Sequence, residues 1–531
     1  MQNSKIRLVF FTASLLIYNY LFWEQSSGIN LPLFSLLLGI AAALINPENL
    51  RSSRVLVTAA GTFSTGVLVV IHHSDLSVFV HVISFFAMLG FMQQQELKSL
   101  YNAFLQSVSG LVVAPKRLLV AVTQKAQTNS KTAKVFRVLS LVLLPLIVFI
   151  IFYFIYTVAN PLFEQLTLSI TTKINHFFQL VFRHLSVEWL VFIGFGATLS
   201  SAIVFRTISQ RWFNSDAAQN ENLERTKTKR RKSAIPGMLE SHSPVSLKNE
   251  RRSGIIFLAM INLLLLVVNI IDINWIWFDF VVPQKFNLKQ FVHEGTYMLI
   301  FSILLSMAIL LYLFRNNQNF MKGNRLLKIL AYLWIAQNAV LCYSVFLRNF
   351  HYINYHGLAY KRIGVIVFLL LTFAGLVTLF IKIKEVKSGY FLLRKNTWFA
   401  YGVMVVLCVF NWDLIIVRYN LNHWNSDDID TSFYLSLSDR AIPELLANKV
   451  KVQRQMELHK INPERWLSDL DYGSFENYLL TRKDRFMLEQ EYKQWQSWNY
   501  ADAEAYKALQ EIKEPMGQLQ GTSIGEKTIA F

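Results

Sequence analysis

The sequence predicts an all-α, polytopic helical membrane protein of about eleven transmembrane helices, with a small helical C-terminal module outside the membrane. Three observations predict it. Apolar runs of spanning length recur along the chain as far as residue 417. Of 531 residues, 53% are hydrophobic and 16% charged, whereas soluble proteins carry about a quarter charged. Most Lys and Arg residues of the apolar part gather on alternate loops, as they do where cytoplasmic loops retain positive charge.

The first apolar run follows Lys5 and Arg7 and reaches Trp23. No small-residue cleavage pattern follows it, so it reads as an uncleaved first span. Runs at 29–45, 55–71 and 76–92 supply three more. Between 97 and 112 the apolar positions Leu97, Leu100, Tyr101, Phe104, Leu105, Val108, Leu111 and Val112 recur at threes and fours. Lys98, Asn102, Gln106 and Ser109 fall off that stripe, which predicts an amphipathic helix lying along the inner membrane surface. Residues 138–158 predict a fifth span kinked at Pro145, and 163–185 a second surface helix, on the outer side. The sixth span, 187–208, holds Gly194, Gly196, Ser200 and Ser201, small residues that admit a close neighbour.

Residues 209–253 read as a flexible, basic cytoplasmic linker, separating an N-terminal bundle (1–208) from a C-terminal one (254–417). Spans follow at 255–271, 296–314, 327–347, 363–381 and 397–417. The tail, 418–531, predicts short helices beginning near Pro443 and Ser474 and covering 501–512. Its Trp466, Trp495, Trp498, Tyr478 and Tyr492 exceed what so small a core needs, which places some of them on a membrane or partner. From Gly517 onward the chain reads as disordered.

A net charge of +18 and the run from Lys227 to Lys232 raise the question of nucleic acid. The loop-by-loop distribution answers it: the run reads as a topological anchor, and no nucleic-acid partner is expected. Cys342 and Cys408 both lie inside apolar runs, which leaves no disulfide framework. With the N-terminus inside, the outer face gathers Asp272, Asp279, His293, Glu294, Arg348, His351, His356, Tyr360, Arg362, Asp413 and Arg418. Ionisable groups at membrane depth are expensive, so the cluster is either a set of helix caps and ion pairs or a ligand or partner patch. The patch is assigned to His293, Glu294, Arg348, His351, Tyr352, Tyr360, Arg362, Asp279 and Asp413. No metal is expected there, because no metal-ligand spacing joins its histidines, and His293-Glu294-Gly295 lacks the second histidine of a His-Glu-x-x-His motif. His72, His73, Asp75 and His81 raise the same question and get the same answer. Phosphate-loop and nucleophile-turn motifs are missing, so no catalytic residue and no cofactor are assigned. Asn262 and Asn269, seven apart, predict hydrogen bonds between helices.

The segments Val292-His293-Glu294-Gly295-Thr296, Leu330 to Asn338, Arg348-Asn349-Phe350-His351-Tyr352-Ile353 and Tyr360-Lys361-Arg362-Ile363-Gly364-Val365 resemble a bacterial membrane-protein family, domain of unknown function 4173, related to the 4153 family. The resemblance runs from about Gly254 to Leu446. It implies a bacterial inner-membrane protein and carries no activity. The functional expectation is an envelope scaffold or interaction protein, multi-pass in the inner membrane with its tail extracytoplasmic, binding the lipid bilayer and a membrane or periplasmic protein. The alternative is a transporter or membrane enzyme acting on a lipid-linked or anionic envelope substrate.

Overall fold

The computed structural model describes residues 2–45, 47–94, 96–125, 186–204, 216–225, 244–278, 295–321, 323–422, 431–460 and 472–512, with isolated positions between 145 and 168 and at 214. Every regular element among them is helical. The expected fifth span, most of the expected outer surface helix, the Lys227 to Lys232 run, Trp466 and the chain from 513 onward lie outside the described residues. The chain divides into two units, Met1–Asn411 with Gln494–Asn499, and Trp412–Lys493 with Tyr500–Phe531.

The first unit contains α1 (Gln2–Phe22), α2 (Asn30–Ile45), α3 (Ser53–His72), α4 (Asp75–Gln93), α5 (Leu100–Lys125), α6 (Val187–Val204), α7 (Pro244–Asp272), α8 (Thr296–Leu313), α9 (Arg325–His356), α10 (Tyr360–Glu385) and α11 (Gly389–Leu407). Among the described residues six helical stretches are long and apolar enough to cross a membrane: α3, α4, Leu247–Phe278, α8, α9 and α10. A seventh results if Gly389–Leu407 and Trp412–Asn422 form one broken span. The expected first, second and sixth spans are helices whose apolar parts, Val9–Phe22, Asn30–Ile45 and Glu188–Ala202, are shorter. The membrane character is therefore plain, and the described residues account for six or seven full-length crossings of the eleven expected.

Local chemistry sets several boundaries. Ser74 accepts the Ser77 amide at 3.2 Å and Asp75 occupies the first turn of α4, where a carboxylate meets the positive end of the helix. Ser388 does the same for α11, accepting from the Phe391 amide at 3.4 Å. Two apolar cores fill the unit. One gathers Tyr18, Phe34, Leu38, Phe85, Leu89 and Phe91 of the N-terminal helices; the other gathers Leu258, Ile303, Trp334, Leu341, Val345 and Leu379 of α7 to α10. Where α4 crosses α5, a Cβ on Gly90 would stand 1.9 Å from the Ala103 carbonyl oxygen, so only glycine permits that crossing.

α5 corrects the amphipathic reading of 97–112. Its supposed water-facing residues Asn102 and Gln106 are fully buried, together with Ser99 and Ser107. Ser107 donates to the Phe86 carbonyl at 2.7 Å, and Ser99 and Asn102 meet a carboxylate from the supposed linker. Asp216, 1% exposed, accepts from the Lys98 amide at 2.5 Å, Ser99 Oγ at 2.9 Å, and Asn102 Nδ2 and Tyr390 OH at 2.7 Å each. The residues after it are tied to the start of α11: the Leu223 amide donates to the Val386 carbonyl at 3.0 Å, the Ser388 amide to the Glu221 carbonyl at 2.8 Å, and Arg394 pairs with Glu221. Part of the segment expected to be flexible is thus a strap across α5 and α11. α7 begins at Pro244, well before the expected span at 255–271, so its first turns also come out of that segment.

The second unit contains α12 (Trp412–Asn422), α13 (Ile442–Ala447), α14 (Lys449–Lys460), α15 (Tyr472–Tyr492) and α16 (Tyr500–Glu511). Pro443 sits in the first turn of α13, where its missing N–H is harmless. Tyr434, Leu437, Ile442, Leu445, Val452, Phe475, Leu479, Phe486 and Leu509 form its core. Burial pushes the Tyr434 hydroxyl above the ordinary tyrosine range, and its 3.1 Å hydrogen bond to Gln455 Oε1 offsets part of that. Ion pairs close the rim: Arg482 with Asp439 at 2.5 Å, and Arg440 and Lys493 with Asp502 at 2.6 Å each.

Candidate functional site

The site grows out of the pairing of α7 with α9. Asn262, Asn269 and Ile276 are seven apart on one helix, as are Leu330, Gln337, Ser344 and His351 on the other. A seven-residue repeat keeps one seam of each helix facing its partner, and because both sets rise together the two helices run parallel. Asn262 Nδ2 donates to the Leu330 carbonyl at 3.1 Å, Gln337 Nε2 to Asn262 Oδ1 at 2.9 Å, and Asn269 Nδ2 to the Gln337 carbonyl at 3.1 Å. The predicted interhelical bonds are present. Beyond α7 a π-turn (Ile273–Phe278) carries Trp277, whose Nε1 donates to Ser344 Oγ at 3.0 Å.

Above this ladder stands a buried ion pair. Asp272 and Arg348, 3% and 7% exposed, meet at 2.5 Å. Leaving either charge alone in so dry a setting would cost about 3–5 kcal/mol. His351 follows within one turn of Arg348, with Nε2 3.1 Å from the Ile276 carbonyl. Since a carbonyl only accepts, Nε2 carries the proton in that contact.

The end of α9 is fastened by Arg362. Its Nη1 donates to the carbonyls of His356, at 2.7 Å, and Gly357, while its guanidinium lies 4.5 Å from the centre of the Tyr352 ring. Tyr352 is buried and packs against His356 at 4.4 Å between ring centres, and Asn349 Nδ2 returns a bond to the Arg362 carbonyl at 3.1 Å. Tyr360 is 46% exposed. α9 is longer than a bilayer core is thick, since 32 residues make a helix of about 48 Å against about 30 Å of hydrocarbon.

Of the predicted patch, then, the structure brings together Arg348, His351, Tyr352 and Arg362, with Asp272 and His356 beside them. Tyr360 opens the next helix. Asp413 belongs to the second unit, where Ser438 donates to its carboxylate. Asp279, His293 and Glu294 lie outside the described residues. Among the described residues no three His, Cys, Asp or Glu side chains are arranged to hold a metal ion. The other histidines have separate surroundings: His72 Nε2 meets the Val409 carbonyl at 2.9 Å, His73 Nε2 meets Ser27 Oγ at 3.0 Å, and His81 is buried between Ser35 and Thr65. Sequence reasoning missed Gln337, Asp216 and Lys382. Gln337 had a signal, the same seven-residue step as Asn262 and Asn269; the other two depend on contacts far apart in the chain.

No curated protein matches this chain, and no solved structure does. The family profile described as Domain of unknown function (DUF4153) matches residues 10–448. That is the relative of the 4173 family named from the sequence, and it extends over the N-terminal helices as well as the segment expected from about Gly254 to Leu446. A bundle of membrane-length apolar helices, with its buried Asp272–Arg348 pair on the matched segment, therefore belongs to the DUF4153 family.

Proposed function

We propose that this chain is a multi-pass protein of the bacterial inner membrane, N-terminus in the cytoplasm, that works as an envelope scaffold and binds a membrane or periplasmic protein outside the membrane. One observation carries the reading: three polar side chains of the patch, Arg348, His351 and Arg362, are engaged in holding α9 in place. Arg348 is committed to Asp272, His351 to a carbonyl of the π-turn, and Arg362 to the last carbonyls of α9. Contact surface is available instead on α15, where Tyr478, Leu488 and Tyr492 are exposed, Tyr492 to 80%. A photo-reactive amino acid at Tyr492, in cells, is expected to capture one defined envelope protein. Capture of nothing specific under any growth condition would remove the proposal.

A second reading has its own observation. Asp272 Oδ2 is buried with no hydrogen-bond partner among the described residues. A carboxylate oxygen left dry favours a transporter or membrane enzyme, with the pair engaging a proton or an anionic, lipid-linked substrate. Native mass spectrometry of the full chain beside Asp272→Asn decides it. A stoichiometric adduct lost in the variant supports this second reading, and identical unliganded masses end it.

A further inference from the structure

Positive charge and unpaired polar atoms coincide at the turn between α8 and α9. α8 gives way at Phe314 to a 3-10 turn (Asn316–Phe320), and α9 starts at Arg325. A helix N-terminus favours anions, yet the first turn of α9 carries Arg325 and Lys328 and no acid. Asn324, at the cap position, makes no side-chain bond to the helix; its Nδ2 donates to the Gln318 carbonyl instead. The first amides of a 32-residue helix are thus left without a side-chain cap.

Two cations from other helices converge on the turn. Lys382 of α10 is 4% exposed, and its Nζ donates to the Phe314 carbonyl at 3.0 Å, with no carboxylate partner among the described residues. Arg251 of α7 reaches the Gly323 carbonyl at 3.4 Å through Nη1, while its Nε is buried and has no partner among the described residues. Gly323 has φ +89°, and a Cβ there would stand 2.9 Å from Arg251 Nη1, so glycine keeps this approach open. Arg315 is occupied, pairing with Glu250 at 3.4 Å and stacking 3.6 Å from the Tyr312 ring centre. Gln318 is the sharpest anomaly. It is 2% exposed, and among the described residues neither atom of its side-chain amide has a partner; Asn324 Oδ1 is equally bare.

Helix capping and membrane insertion explain part of this. Lys382 on the Phe314 carbonyl caps the end of α8, and loop cations set topology. Capping uses one of three ammonium protons, and insertion needs cations at the water surface rather than buried. Neither accounts for the bare Gln318 amide and the first amides of α9 in this turn, or for Arg251 Nε of α7 beside it.

We propose that the α8–α9 turn binds a phosphoryl group that carries a hydroxyl or ammonium donor, the chemistry of a phospholipid headgroup or of a free phosphate monoester. The phosphoryl oxygens take Lys382, Arg251 and the α9 amides; the attached donor takes the bare amide oxygens of Gln318 and Asn324. This gives the misplaced positive charge a counter-ion and fills the unmet hydrogen bonds together.

The test is native mass spectrometry of the detergent-purified full chain with phosphatidylglycerol, with phosphatidylcholine, and separately with glycerol 3-phosphate. The wild type is expected to retain one phosphatidylglycerol, or one glycerol 3-phosphate, in preference to phosphatidylcholine, which has no donor on its headgroup. Retention of the lipid alone identifies a headgroup site; retention of glycerol 3-phosphate alone identifies a soluble ligand. Lys382→Met should weaken binding about tenfold, while Lys384→Met, exposed two residues on, should bind as the wild type does. If Lys382→Met fails to fold, Gln318→Leu carries the same expectation. Equal binding by the wild type and the Lys382 and Gln318 variants, or no retention of either phosphoryl probe by the wild type, overturns the proposal.

Discussion

Arg348 and Asp272 show why a buried charge has to be judged with its partner. Each is dry, and the favourable term is mutual, so losing one leaves the other stranded. Arg348→Met should lower stability by about 3–5 kcal/mol, whereas Arg348→Met with Asp272→Leu should recover most of that loss. Thermal melts in detergent decide it: if the double variant melts as low as the single one, the pair is not the source of the penalty. The sequence made Arg348 conspicuous, as a charge at the end of an apolar run. It gave no hint that Asp272 would be the partner rather than Glu294, because 76 residues separate the pair and only the parallel course of α7 and α9 brings them together.

Among the elements, α5 and the strap after Asp216 depend on one another. Four donors converge on one carboxylate, so Asp216→Ala would strand the buried Ser99, Asn102 and Tyr390 groups rather than merely remove a bond. Faster hydrogen exchange over residues 98–106 and 386–394 is expected in that variant, with the α7–α9 pair unaffected. Unchanged exchange at 98–106 would show that α5 holds without the strap. The contrast with α7 explains what could be read in advance. Asn262 and Asn269 advertise their helix face by spacing alone, since a seven-residue step has meaning within one helix. Asn102 also advertises a polar face, and amphipathicity does not say whether that side meets water or a buried carboxylate 114 residues away. The α13, α15 and α16 starts were legible for the opposite reason, resting on local signals such as Pro443.

For the whole molecule, orientation is the quantity on which the outer patch depends. Cys342 and Cys408 are buried, so they are poor targets for a water-soluble maleimide, and single cysteines can be placed in a nearly silent background. Tyr360→Cys should react from outside intact cells and Ser233→Cys only after the membrane is permeabilised. The reverse pattern would put the α9 end in the cytoplasm and the α8–α9 turn outside. Apolar composition made a helical membrane protein legible at once, while the number of full crossings was not, since runs such as Asn30–Ile45 and Glu188–Ala202 match spans in composition but fall short in length.

The parallel pairing of α7 and α9 also has a consequence for biogenesis. The α9 partners of Asn262 and Asn269 lie 68 to 75 residues downstream, and within α7 only Asn262 has a bond of its own, from Nδ2 to the Leu258 carbonyl at 2.7 Å, so α7 leaves the ribosome before its partner exists. At about 5–20 residues per second, that interval lasts roughly 4–15 s. During it the Asn269 amide and the Asn262 amide oxygen must be held by the insertion machinery, by water or by a temporary neighbour. A ribosome-bound chain stalled after α8 should therefore crosslink through α7 to the translocation apparatus, and one stalled after α10 should have moved into lipid.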